Sequence, residues 1–286
     1  MSRVKPTNPV VNRSHPLARG LVGAWAFQDG GGTTLRDVSG HGLDGTITGA
    51  AWTTDRYGSA LEFDRVNDDV NLGSSVVDGV RTVAFTWTFP NGWSSSESVS
   101  AGLWSRTNGS TNDDQFMCSA TYLGNIDFYK NDGSTLKAFR TTQSTWAAGR
   151  PYHFVFVIDP VDGFKLYIDG VREVPNIIYS TTAAVVADSY DLYLGIRSND
   201  AAQDGVGICS DFRLWSRALK PSEVLDLYVG DDLYSPAVDT QERYYRANAP
   251  IGAIGTGLHA IEAGGVYGAP GINSGLHAIG TGVVTA

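Results

Sequence analysis

Cysteine is nearly missing: Cys118 and Cys209 are the two thiols of a 286-residue chain. Each follows apolar neighbours, Phe116-Met117 and Gly207-Ile208, the setting of a small buried hydrophobe. That excludes a disulfide-stapled scaffold and predicts two core thiols. Long apolar runs are missing too, with nothing near the ~18 residues of a membrane span, so a protein of the aqueous phase without a membrane partner is expected. Basic charge is short: 21 Lys and Arg stand against 30 Asp and Glu, for a net charge of −9. Such a balance excludes the basic footprint of a nucleic-acid binder and suits a divalent cation or a neutral glycan. The opening MSRVKPTNPVVNRSHPLAR lacks an apolar stretch of ~7–15 residues and a small-residue cleavage site, so no signal peptide is expected.

What is present is core material in short pieces. Hydrophobic residues make up 42% and aromatics 11% of the chain, enough for a sizeable core. They fall in strand-length segments separated by loops rich in Gly, Asp, Asn and Ser: Leu21–Phe27, Thr46–Trp52, Ser59–Phe63, Asp69–Leu72, Thr82–Phe89, Ser100–Arg106, Gln115–Ala120, Gly124–Lys130 and Leu136–Thr141. Alternation in runs of this length predicts an all-β antiparallel sandwich, and the segments from Thr82 onward read as a meander. Within Leu21–Phe27, Trp25 and Phe27 share the face that period two assigns to the core. Further on, Ser216–Tyr228 carries Pro221, Glu223 and an apolar stripe of Val224, Leu225, Leu227 and Tyr228, which predicts one short helix sealing an end of the sandwich.

Three stretches carry a family likeness: GLVGAWAF at Gly20–Phe27, DVSGHGLDGT at Asp37–Thr46, and GSALEFD with NDDV at Gly58–Val70. WAAGRPYHFVFVID at Trp146–Asp159, FKLYIDG at Phe164–Gly170 and DFRLWSRALKPSEVLDLY at Asp211–Tyr228 continue it. Together they resemble the laminin G-type jelly rolls of the concanavalin A-like lectin and glucanase superfamily. The likeness runs from residue 20 to 229. It leaves an extended, proline-bearing arm at 1–19 and a Gly/Ala-rich tail at 230–286 in which IGTGLHAI (254–261) returns as INSGLHAI (272–279). Two copies are too few for a free solenoid, and after Arg246 the tail has almost no charge apart from Glu262, so it reads as a segment buried against partners. Its His259 and His277 are read either as metal ligands in an oligomer or as simple repeat inheritance.

The Asp37–Gly45 loop gathers Asp37, Ser39 and Asp44 among glycines, oxygen donors of the kind a hard cation takes. It lacks an EF-hand pattern, and a turn held by Asx hydrogen bonds is the competing reading. The resemblance implies a structural Ca²⁺ between this loop and an aspartate of the last strand, here Asp211. His41 reads as a loop residue, and His153, in an alternating apolar strand, as a structural histidine. For glycan stacking the candidates are Trp93 and Tyr122, with Trp104 read as core. Catalysis ranks last, because a retaining glycosidase needs two carboxyls ~5 Å apart and Glu62 with Asp64 lacks the third acid of the family's strand motif. The expected function is therefore a non-enzymatic virion decoration or adhesion protein. Its sandwich would present itself to surface glycans while residues 230–286 attach to a capsid protein or to copies of itself. The alternative is a cell-encoded carbohydrate-binding module.

Overall fold

The computed structural model describes residues 5–74, 78–106, 116–131, 136–174, 176–179, 181–185, 190–196, 204–230 and 233–236. In chain order the strands are β1 (Pro9–Val11), β2 (Leu21–Trp25), β3 (Thr34–Leu35), β4 (Gly45–Thr48), β5 (Ala51–Asp55), β6 (Gly58–Asp64), β7 (Asp69–Asn71), β8 (Thr82–Thr88), β9 (Ala101–Arg106) and β10 (Phe116–Ala120). They continue with β11 (Ile126–Asn131), β12 (Leu136–Arg140), β13 (Pro151–Asp159), β14 (Gly163–Ile168), β15 (Val171–Arg172), β16 (Asn176–Tyr179), β17 (Tyr193–Leu194), β18 (Val206–Trp215) and, after helix α1 (Pro221–Val229), β19 (Tyr234–Pro236). One sheet has nine strands in the order β16-β12-β11-β10-β9-β17-β7-β4-β3. The other has eight, β15-β14-β13-β8-β18-β6-β5, with β2 also paired to β18. This is the all-β antiparallel sandwich with one short helix that the segment pattern predicts.

Period two explains how the same strands serve two layers. In β13 every position from Pro151 to Ile158 is buried. Tyr152, Phe154, Phe156 and Ile158 enter the core between the sheets, whereas Val155 and Val157 enter a second cluster on the far side. A strand covered on both faces must read as one continuous apolar run. At the centre of the main core the Phe85 ring lies 5.1 Å from Phe154 and within 6.3 Å of Trp104, Phe128 and Phe212. Truncating a ring in such a cluster costs about 3–5 kcal/mol. Cys118 and Cys209 are both free and buried there.

The second cluster lies on the outer face of the eight-stranded sheet, where Val224 and Leu227 of α1 meet Ala84, Val155, Val157, Tyr167 and Trp215. The helix therefore covers a sheet face rather than sealing an end of the sandwich, and of its predicted stripe Leu225 points to solvent. Two segment boundaries also move. Thr46–Trp52 divides into β4 and β5, which lie in different sheets. Gly49 makes the corner at φ +72°, where a Cβ would come within 2.7 Å of the Asn67 carbonyl oxygen. And β8 leaves the meander to sit between β13 and β18 in the opposite sheet.

The N-terminal residues lie on the chain's own body. β1 pairs with β19, Leu17 is buried, and Trp215 Nε1 donates to the Leu17 carbonyl oxygen at 2.7 Å. On one edge β18 pairs with β6 over Val206–Cys209 and then with β2 over Phe212–Trp215, and on the other its pairing with β8 shifts register between Cys209 and Asp211. Carbonyls freed by such a break need donors. Lys5 Nζ supplies them, donating to Ala26 O at 2.7 Å, Ser59 O at 3.2 Å and Ser210 O.

Candidate functional site

The Asp37 loop is closed by its own hydrogen bonds. Asp37 Oδ1 accepts from the amides of Ala24 (3.1 Å) and Ser39 (2.8 Å). Its Oδ2 accepts from Ser39 Oγ (2.8 Å) and from the amides of His41 and Leu43, both at 3.2 Å. Although desolvation opposes it, this set of donors holds the Asp37 carboxyl below its ordinary value. Asp44 Oδ1 is taken by the Asp37 amide at 2.8 Å. Asp211 turns to Arg213, at 3.0 Å from Nε and 2.8 Å from Nη2, and to Tyr234 Oη at 3.4 Å. Five donors on two carboxylate oxygens leave little lone-pair capacity, and Asp211 is occupied by a guanidinium. Asp37, Ser39, Asp44 and Asp211 thus do not fit a shared cation, and among the described residues no group of three or more acidic, His or Cys side chains is placed to hold a metal. The loop matches the hydrogen-bonded turn instead, with His41 Nδ1 2.9 Å from Ser39 Oγ. His153 is buried in β13, its amide held by Asp169 Oδ1 at 2.9 Å and its ring near Tyr228 of α1.

The two stacking candidates separate. Trp93 is 3% exposed, its Nε1 donates to the Thr121 carbonyl oxygen at 2.9 Å, and its ring packs on Phe89 at 5.5 Å. It is core, and so is Trp104. The cause is Gly92, at φ +78° and so close to Trp146 O that a Cβ would stand 2.9 Å away, which folds the loop inward. Tyr122 stays outside, 53% exposed at a turn next to Leu123, its amide donating to Ser100 Oγ at 3.2 Å.

A second set of residues is brought together on the outer face of the nine-stranded sheet. Val70 and Leu194 point into the core, so period two turns Asp69, Asn71 and Tyr193 outward. Tyr193 lies opposite Asn71 on one side and Ser105 on the other, and Asn71 lies opposite the exposed Thr46. Asn71 Nδ2 donates to Asp191 Oδ2 at 2.9 Å and to Tyr193 Oη at 3.1 Å, while Asn71 Oδ1 accepts from the Gly73 amide at 2.7 Å. Partial burial and the neighbouring carboxylates of Asp191 and Asp69 push the Tyr193 phenol up, so it stays a neutral donor. Farther along the same face Arg140 grips Asp127 through Nε (2.8 Å) and Nη2 (2.7 Å), and Tyr129 Oη donates to Asp127 Oδ2 at 2.5 Å. Burial, with Asp127 alongside, drives the Tyr129 phenol upward as well.

A half-buried tyrosine with an amide and carboxylates beside it, and a threonine hydroxyl one strand beyond the amide, offers a flat apolar surface with acceptors and donors at its rim. Such a surface can hold a ligand made of hydroxyls on an apolar ring. None of these residues stood out in the sequence. The available signal is a repeated triplet, Asp69-Val70-Asn71, Asp127-Phe128-Tyr129 and Asp191-Leu192-Tyr193, a polar pair flanking one apolar residue in or beside three strands of one sheet.

Comparison with known proteins places the fold. A family model described as the concanavalin A-like lectin/glucanases superfamily, of laminin G type, matches residues 64–225. The human adhesion G-protein coupled receptor D1 is 22% identical over 221 residues, which is 74% of this chain and 24% of the receptor. The receptor-binding domain of botulinum neurotoxin D superposes with a TM-score of 0.59 at 13% identity, over 74% of this chain and 53% of that one. A sialidase of Trypanosoma rangeli gives a TM-score of 0.55 at 19% identity, over 79% of this chain and 36% of the sialidase. The chain thus spans about a quarter of the receptor and about a third of the sialidase, and at these identities the structural matches report the fold. No helix among the described residues is long and apolar enough to cross a membrane.

Proposed function

Because this chain belongs to the concanavalin A-like lectin and glucanase superfamily, we propose that its sandwich is a non-catalytic glycan-binding adhesion module, with the ligand on the outer face of the nine-stranded sheet around Tyr193. The observation that carries the reading is the Tyr193, Asn71 and Asp191 cluster, an aromatic surface with polar atoms fixed at its edge. Tyr122, exposed at a loop, is a secondary contact. Two relatives named for recognition, an adhesion receptor and the receptor-binding domain of a toxin, support binding over hydrolysis. The acid pair nearest to catalytic spacing in the sequence supports the same side. Glu62 and Asp64 lie on β6, and Asp64 Oδ1 is spent on the Val66 amide at 2.8 Å, where it holds a turn.

The module is displayed on a virion, attached to a capsid protein or to further copies through the nearly uncharged repeat segment. That half of the reading rests on the sequence of residues 230–286, of which 231–232 and 237–286 lie outside the described residues. A cell-encoded carbohydrate-binding module is the alternative. A glycan array probed with the full chain and with Tyr193→Ala tests the first half. Loss of signal in the variant, with an unchanged circular dichroism spectrum, is expected, and equal binding by both sinks the placement. Size-exclusion chromatography and electron microscopy after truncation behind Ala237, which keeps β19, test the second. Assembly that survives the cut removes the attachment role.

A further inference from the structure

We infer that the Tyr193 face selects neutral glycans and rejects sialylated or sulfated ones, a step that rests on the glycan-binding reading above. The charges along this face decide the point. Among the described residues the outward carboxylates nearest Tyr193 are Asp69 and Asp191, with Asp127 buried farther along; the cations are Arg140, on β12, and Arg36, which follows edge strand β3 and lies 3.5 Å from Asp29. Arg140 is not at liberty: Asp127 takes it through two parallel hydrogen bonds, with the aspartate side chain 1% exposed. Two other cations of the same sheet, Lys130 and Arg106, are each 3% exposed or less and sit on the inward side of their strands. Lys130 is two positions from core Phe128 and Arg106 two from core Trp104. A sulfate or carboxylate reaching Tyr193 would therefore meet Asp191 and Asp69 first, with Arg140 held by Asp127 and Arg36 three strands away beyond β7 and β4.

Chemistry on the other side of the balance favours hydroxyls. Asp191 Oδ2 accepts from Asn71 Nδ2, and Thr46 offers an exposed hydroxyl one strand beyond Asn71. Carboxylates accept from sugar hydroxyls and repel sugar anions; the same groups thus serve affinity and exclusion. A like charge brought to within about 4–6 Å of Asp191 in this half-exposed setting weakens binding by roughly five- to tenfold, and added salt shrinks the penalty.

The test is a glycan array carrying each oligosaccharide in matched neutral, sialylated and sulfated forms, probed with the full chain at low and high salt. The strongest neutral ligand is then titrated calorimetrically against its sialylated form with the wild type and with Asp191→Asn and Asp69→Asn. Supporting results are binding of neutral forms, a loss of roughly fivefold or more on adding the acidic group at low salt, and narrowing of that gap in the Asn variants. Should sialylated or sulfated forms bind as well as their neutral cores, the inference fails and the glycan-binding reading survives. Should no form of any glycan bind, the reading itself fails, and this inference with it.

Discussion

The two sheets present opposite outer faces to the world. Outside the eight-stranded sheet, α1 and the N-terminal residues lie over Ala84, Val155, Val157 and Tyr167, an apolar layer that excludes water. Outside the nine-stranded sheet Ser105, Met117 and Asp127 are buried, while Thr46, Asn71, Tyr193, Tyr129 and Arg140 keep some exposure; Asn71 bonds Tyr193, and Tyr129 and Arg140 bond Asp127. One face is used up by the fold, and the other keeps partly exposed polar residues around Asn71 and Tyr193. Core-like packing on the first and a satisfied but half-open polar surface on the second are what separate a structural face from a recognition face.

That contrast is breakable, and the largest effects belong to the covered face. Trp215→Ala removes a fully buried ring and its bond to Leu17, and thermal denaturation should show a loss of about 3–5 kcal/mol; a loss under ~1 kcal/mol would mean the layer is ornamental. Lys5→Met comes next, since it strips donors from three carbonyls at the seam of β18, for about 1–3 kcal/mol in chemical denaturation. Its pH dependence has a definite sign. Burial lowers the Lys5 ammonium from 10.5 to about 8 despite the opposing pull of Asp211 and Asp55. Between those values the unfolded chain holds the proton that the folded chain has released, so raising the pH favours the fold. The stability of the wild type relative to Lys5→Met should be flat below pH 8 and climb between pH 8 and 10.5; a falling difference would refute the burial argument.

On the open face the stability effects shrink while the binding effects grow. Tyr193→Ala should cost under ~1 kcal/mol of stability in the same denaturation experiment, as befits a half-exposed residue, yet abolish array binding. The smallest expected effect is that of a chelator. With Asp37 saturated by five protein donors, EDTA should leave the melting temperature unchanged, because a ligand held by the native state alone would have to raise it. A downward shift of several degrees would restore the calcium reading of Asp37, Ser39, Asp44 and Asp211.

Alternation made the sandwich legible: β4 reads buried-exposed-buried-exposed, and the unbroken run of β13 announces a strand covered on both sides. Local chemistry also suffices for the Asp37 turn, whose donors mostly lie within six residues. Other features depend on partners far away in sequence. Trp93 sits in a loop of polar composition, and its inward position rests on partners far along the chain, the backbone of Trp146 and the carbonyl of Thr121. Asn71 meets Asp191 and Tyr193 across 120 and 122 residues, so the polar face exists only once β7 and β17 are neighbours. Lys5 is the extreme case: no property of an arm rich in Pro and Asn signals an ammonium that meets Ser210 at a separation of 205 residues.

The position of β18 carries a kinetic cost. It lies between β8 on one edge and β6 with β2 on the other, yet it leaves the ribosome more than a hundred residues after them. Throughout that interval the nascent chain holds unpaired strand edges on both sides of a vacant slot, the hallmark of slow, non-local folding and a standing invitation to mispair. Synthesis halted just short of residue 206 should yield aggregates, and release of ten further residues should rescue them.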